Sequence, residues 1–205
     1  MVFTVSKKIA VWFRAVCGAG FTLIELTVSV GVIALTAALF IANYHSTTRQ
    51  TDLTMTAQKM VADLRAAQNN SLGLVEYNGA VPAGGWGVHF DTTQRSYTMF
   101  ADLNAPGTSG YMQYDPPTEG RPDYGARETD FSPDIKIAGL SGSSGAGNQA
   151  NVSFLPPDPQ TNILVDITTS TSLQIVLKSL NTATCRNVSV NFLGLIEASD
   201  AYSCP

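Results

Sequence analysis

Residues 26–42 form a run of 17 without a formal charge, and no other stretch of the 205-residue chain is as long and as apolar. A helix over this run is about 26 Å long at 1.5 Å per residue, and adding Phe21 to Glu25 brings it to roughly 33 Å, near the thickness of a bilayer core. Residues 1–20 hold Lys7, Lys8 and Arg14 and no acid, a charge of +3, whereas residues 21–205 carry −7. Basic residues before the run and an acidic remainder after it predict a cytoplasmic N-terminus and an exported body. With 44% hydrophobic and 14% charged residues, the chain is neither intrinsically disordered nor a multi-span membrane protein. Its net charge of −4 has the wrong sign for a general nucleic-acid binder.

Three structures suit such a run. A secretory signal peptide needs a cleavage site after it; Phe40 is too bulky at −3 for a cut after Ala42, and a cut after Ala38 is only tolerable. A signal anchor fits the length but leaves Glu25 unexplained, because an acid inside an apolar span costs up to about 2–3 kcal/mol depending on depth. A buried core helix explains neither the basic leader nor the acid.

The segment Gly20-Phe21-Thr22-Leu23-Ile24-Glu25-Leu26 resembles the class III leader junction of the type IV pilin and type II secretion pseudopilin superfamily. The resemblance implies that a prepilin peptidase cuts between Gly20 and Phe21 and methylates the new amine of Phe21. It makes Glu25 the fifth mature residue, docked on the N-terminal ammonium of a neighbouring subunit, a partner that a carboxylate in lipid requires. Most major pilins carry a proline where this chain has Ala42, which favours a minor pilin or pseudopilin.

After Tyr44 the composition turns polar, yet Leu53, Ala57, Met60, Leu64, Ala67 and Ser71 recur at three- and four-residue steps, the stripe of an amphipathic helix. Lys59 and Asp63 read as an i,i+4 pair on its wetter side. Gly73 and Asn78-Gly79 supply stop and turn signals. Beyond residue 80 the period is that of strands: Trp86, Val88 and Phe90 alternate before a turn at Asp91 to Gln94 and a return strand at Tyr97 to Phe100. Val152 to Leu155, Ile163 to Ile167, Leu173 to Leu177 and Val188 to Phe192 read as further strands, with a turn at Gly194 into Leu195-Ile196. Residues 104–147 read as a long loop with one short strand at Ile135 to Ile137, and Ser141 to Gly147 as a flexible connection. The expected fold is α+β and pilin-like: a long N-terminal helix, transmembrane in its first half, packed on an antiparallel β-sheet head. The divisions are a cleaved leader at 1–20, a membrane or filament-core helix at 21–44, its amphipathic half at 45–78 and a β-rich head at 79–205.

The head resembles GspH/FimT-type minor pilins in Leu64 to Gln68, in the strand after Gly85-Trp86-Gly87, in Val152 to Pro156 and in Arg186 to Gly194. Once the leader and its Cys17 are removed, Cys185 and Cys204 remain as an even pair in an oxidising compartment. The resemblance points to a disulfide there, since many pilins fasten the C-terminal region in this way; two free thiols are the alternative. Among catalytic motifs there is no G-x-S-x-G, H-E-x-x-H, C-x-x-C or phosphate-cradling loop, so no enzymatic activity is expected. His45 lies beyond the run, and His89 reads as a strand residue with a satisfied ring. Asp102, Asn104, Asp115, Glu119 and Asp123 are either solvated turn acids or oxygen ligands for a calcium ion, although Pro106 stands where a further ligand would be expected. The resemblance implies as partners the prepilin peptidase, other pilin subunits and an inner-membrane assembly platform, at the cytoplasmic membrane and then in a surface or periplasmic filament. The alternative is a binding module at a filament tip that captures DNA, a surface or a secretion substrate. Against DNA, residues 45–205 hold 9 basic and 15 acidic side chains.

Overall fold

The computed structural model describes residues 21–115, 127–156 and 160–204, with the side chains of 42–49 set aside. Among the described residues there are one helix, α1 (Leu23–Leu72), and a set of antiparallel strands. The chain divides into two compact units, Met1–Tyr44 and His45–Pro205. In the first unit the described part is helical from Leu23, and Leu23–Ile41 is long and apolar enough to cross a membrane, with none of its residues buried within the chain.

The second unit is α+β. Its helical segment ends with Leu72, where Gly73 N–H still reaches Asn69 O at 2.8 Å and Leu74 takes a left-handed φ of 49°. The first sheet consists of β1 (Gly85–Asp91), β2 (Ser96–Asp102), β3 (Arg127–Asp130), β6 (Gln149–Leu155), β7 (Gln160–Val165) and β8 (Thr168–Ser170), in the order β3-β2-β1-β6-β7-β8. The second consists of β4 (Ile135–Gly142), β5 (Gly145–Gly147), β9 (Ser172–Ser179), β10 (Thr184–Asn191) and β11 (Ile196–Ala198), in the order β11-β10-β9-β4-β5, with β12 (Tyr202–Ser203) also on β10. Leu53, Ala57, Met60, Leu64 and Ala67 are buried at the expected three- and four-residue steps and share one core with the inner residues of both sheets. Those include Val88, Phe90, Val152 and Phe154 from the first sheet and Leu173, Ile175, Leu177, Val188 and Val190 from the second.

Polar side chains fix the helix in register with both sheets. The Ser71 hydroxyl donates to Phe154 O and accepts the Trp86 N–H at 2.9 Å. Arg65 donates to Ile196 O at 3.2 Å and Gln68 to Gly194 O at 3.3 Å, which ties the helix to the β10–β11 turn.

Four expectations need correction. The single head sheet is two sheets. Residues 135–147 form a hairpin, β4–β5, instead of a loop with a flexible tail; Ser143 N–H donates to Ser170 Oγ at 2.8 Å and Thr171 N–H to Ser143 Oγ at 2.9 Å, so the turn is bound to the β8–β9 corner. Asp63 is not on the wetter side opposite Lys59. It is buried, accepts the Tyr97 hydroxyl at 2.7 Å and pairs with Arg127, because residue 63 lies three and four positions from Met60 and Ala67, inside the buried stripe. The strand expected at Ile163 to Ile167 starts at Gln160 and ends at Val165, leaving Ile167 exposed in a turn.

Met60→Ala or Leu64→Ala is expected to destabilise the second unit by about 2–5 kcal/mol in chemical denaturation. Met55→Ala, at an exposed position on the same helix, is expected to change stability by less than about 0.5 kcal/mol.

Candidate functional site

At the start of α1, Thr22 is the cap. Its Oγ1 accepts the Glu25 N–H at 3.3 Å, and its carbonyl accepts the Leu26 N–H at 3.1 Å. Thr22-x-x-Glu25 is thus the pattern of a capping box, with the acid in the first turn where the helix dipole favours it. The Thr22 cap is legible in the T-x-x-E spacing. Further along, Thr27 donates to Ile24 O at 2.9 Å, Ser29 to Glu25 O at 2.7 Å and Thr36 to Val32 O at 3.0 Å. These hydroxyls are satisfied within the helix, as an apolar environment requires. Glu25 is the only formally charged residue between Phe21 and Ile41. The apolar side chains around it have no cover in the chain; Leu23 is 80% and Phe40 78% exposed. Phe21 is described and exposed, while Gly20 lies outside the described residues, as do Cys17 and the side chain of His45.

In the head, β1 is buried along its whole length, not on one face only. Trp86, Val88 and Phe90 point into the core, as their alternation predicts. The opposite face is covered by the segment after β2. Tyr114 stacks on His89 with ring centroids 4.7 Å apart and meets Phe100 at 5.6 Å, and Ser153 Oγ donates to Met112 O at 3.0 Å. Gly87 lets Phe100 lie flat here: a Cβ on it would sit 2.7 Å from the Phe100 ring. His89 Nδ1 is 2.8 Å from Asn151 Oδ1. Burial pushes His89 below the usual imidazole range, against the Asn151 hydrogen bond and the Asp91 charge, which act in the other direction. The ring is satisfied, as expected, and stands on no nucleophile.

Of the acids left open as turn acids or calcium ligands, Asp102 takes part in a turn. Asp102 is fully buried, and its carboxylate accepts the N–H groups of Asn104 and Met112, placing donors where a cation would need ligand oxygens. Met112 adopts φ 63° to make this contact. Asp115 and Asn104 come together at Gly110, where a Cβ would lie 2.0 Å from Asp115 Oδ2 and 3.0 Å from Asn104 Nδ2. The acids therefore organise the turns that carry Tyr114 across β1. Glu119 and Asp123 lie outside the described residues, and among the described residues no three His, Cys, Asp or Glu side chains are grouped to hold a metal.

Cys185 and Cys204 are joined by a disulfide with their Cα atoms 5.1 Å apart, holding β12 against β10. Compared with known protein families, curated proteins and solved structures, the chain matches none.

Two outcomes are expected of the head. Reducing the disulfide, which links residues 19 apart, should cost about 3 kcal/mol on the chain-entropy account, measured as a lower denaturation midpoint. His89 has a folded-state pKa below its ordinary 6.5, so the unfolded chain takes up a proton before the folded one does. Its contribution to stability is present above pH 6.5 and is lost as pH falls towards the lowered value, with a slope no steeper than about 1.4 kcal/mol per pH unit. Urea denaturation of the wild type and His89→Gln across this range checks it: the variant should lose that slope.

Proposed function

We propose that the chain is a minor pilin or pseudopilin, a structural subunit of a type IV pilus or type II secretion pseudopilus, with no catalytic role. The observation that carries this reading is the single acid, Glu25, four residues after the Gly20-Phe21 junction, in a helix whose apolar side chains from Phe21 to Ile41 have no cover within the chain. Such a surface requires lipid or other apolar helices around it. A carboxylate there requires a cation, and the amine freed by cleavage after Gly20 supplies one on a neighbouring copy.

In the proposed sequence, the +3 leader holds the N-terminus in the cytoplasm, prepilin peptidase removes it and methylates Phe21, and the Glu25–ammonium pair sets the stagger as helices enter the filament at the assembly platform. Before assembly the chain spans the cytoplasmic membrane once with its head outside. The α+β head, with the helical stripe from Leu53 to Ala67 in its core, fits a subunit carried on its own helix.

Gly20→Ala is expected to leave the leader attached and to keep the chain out of filaments when co-produced with a prepilin peptidase; normal processing contradicts the reading. Glu25 offers a sharper comparison because an acid in the first turn is also favoured by the helix dipole, apart from any docking. Gln is also accepted at the third position of a capping box but carries no charge. Glu25→Gln should therefore be processed normally and fail to assemble. Wild-type assembly of Glu25→Gln would contradict the docking role of Glu25.

A further inference from the structure

The outer face of the second sheet carries an arrangement that folding alone does not favour. Lys136 on β4 lies directly opposite Lys178 on β9, and Lys178 is in turn opposite Cys185 on β10. Ile135, Ile137, Leu177 and Ser179 point inward, so both lysines project from the same outer surface. Like charges directly opposed across strands are destabilising. No acid offsets them: among the described residues neither lysine forms an ion pair, and Asp134, two residues before Lys136, does not bridge to it. In the same head Arg127 pairs with Asp63, Arg65 is held by Ile196 O and Arg95 by Pro133 O. The two lysines are thus the adjacent cations left uncommitted.

Beside them the β4 bulge between Ile137 and Gly139 opens a hollow of about 300 Å³, floored by Ala138, Gly139 and Val176 and rimmed by Lys178 and the Cys185–Cys204 disulfide. The charge of this surface is opposite to that of residues 45–205 as a whole, which hold 9 basic and 15 acidic side chains. Exposed acids stand on the free edge of the first sheet, where β3 presents Glu128, whose Oε1 accepts the Ser96 hydroxyl at 2.7 Å, and Asp130 on either side of the buried Thr129.

We propose that the face around Lys136 and Lys178 docks a second copy of this chain through the β3 edge of that copy, with Glu128 and Asp130 meeting the two lysines. The contact goes beyond the assembly through N-terminal helices described above. Exposed charge pairs add little affinity alone, but they steer approach and fix register between surfaces already held close.

The test uses the full-length chain in detergent micelles, mixed from isotopically labelled and unlabelled copies and treated with a zero-length carbodiimide cross-linker. The expected result is intermolecular peptides joining Lys136 or Lys178 to Glu128 or Asp130, with the yield falling about tenfold in high salt; Lys136→Glu/Lys178→Glu removes the reacting amines and serves only as one half of a charge exchange. Mixing that variant with Glu128→Lys/Asp130→Lys should restore the link with the charges exchanged. Melting of the heads, followed in parallel, should be no lower in the lysine variant than in the wild type. Cross-linking whose yield is unchanged in high salt overturns the proposal. So does a loss that the exchanged pair fails to restore; if vesicles containing phosphatidylglycerol then bind the wild type alone, the lysines belong to lipid phosphate. The assay does not depend on cleavage at Gly20, so its failure and that of the filament reading are separately visible.

Discussion

The burial of one helical stripe organises the second unit. Leu53, Ala57, Met60, Leu64 and Ala67 supply the surface on which the inner faces of both sheets close. At roughly 1.5–3 kcal/mol for each large apolar side chain removed from water, Leu53, Met60 and Leu64 together contribute on the order of 5–9 kcal/mol to this packing. Its direction is then fixed by a few directed polar contacts. Ser71 is bound on both sides by the β1 and β6 backbones, Asp63 is held by Tyr97 and Arg127, and Gln68 reaches the Gly194 carbonyl. Apolar burial alone would allow the helix to rotate or slide; these bonds remove that freedom.

The N-terminal part of the same helix obeys a different rule. Its hydroxyls bond back to its own carbonyls, its apolar side chains stay uncovered, and its one acid sits in the first turn beside the Thr22 cap. A helix satisfied in its backbone and unsatisfied in its side chains is suited to lipid or to other helices of the same kind. The proposed filament role uses both surroundings in succession, and Glu25 is the residue whose chemistry differs between them.

The elements with strong periodicity were legible. The stripe from Leu53 to Ser71, the alternation of Trp86, Val88 and Phe90, and the turn at Gly194 all reflect one-dimensional patterns that local geometry enforces. What was not legible depended on contacts distant in sequence. The β4–β5 hairpin is rich in Gly and Ser and reads as a linker, yet it is secured by Ser170 and Thr171 from another part of the chain. Asp63 reads as half of a helix-surface pair until Tyr97 and Arg127, 34 and 64 residues later, are brought to it. The acids of the segment after β2 have the composition of a calcium loop, and only the N–H groups of Asn104 and Met112 at the Asp102 carboxylate reveal another use. Side chains that satisfy backbone donors and side chains that bind cations are the same residue types; geometry separates them.

The account turns on where the mature chain begins. Intact-mass and N-terminal peptide analysis of the membrane-bound chain, produced together with a prepilin peptidase, addresses this directly. The account predicts a first residue of N-methylated Phe21, with Glu25 fifth. A chain that keeps residues 1–20, or one that begins after Ala38 or Ala42, would contradict it.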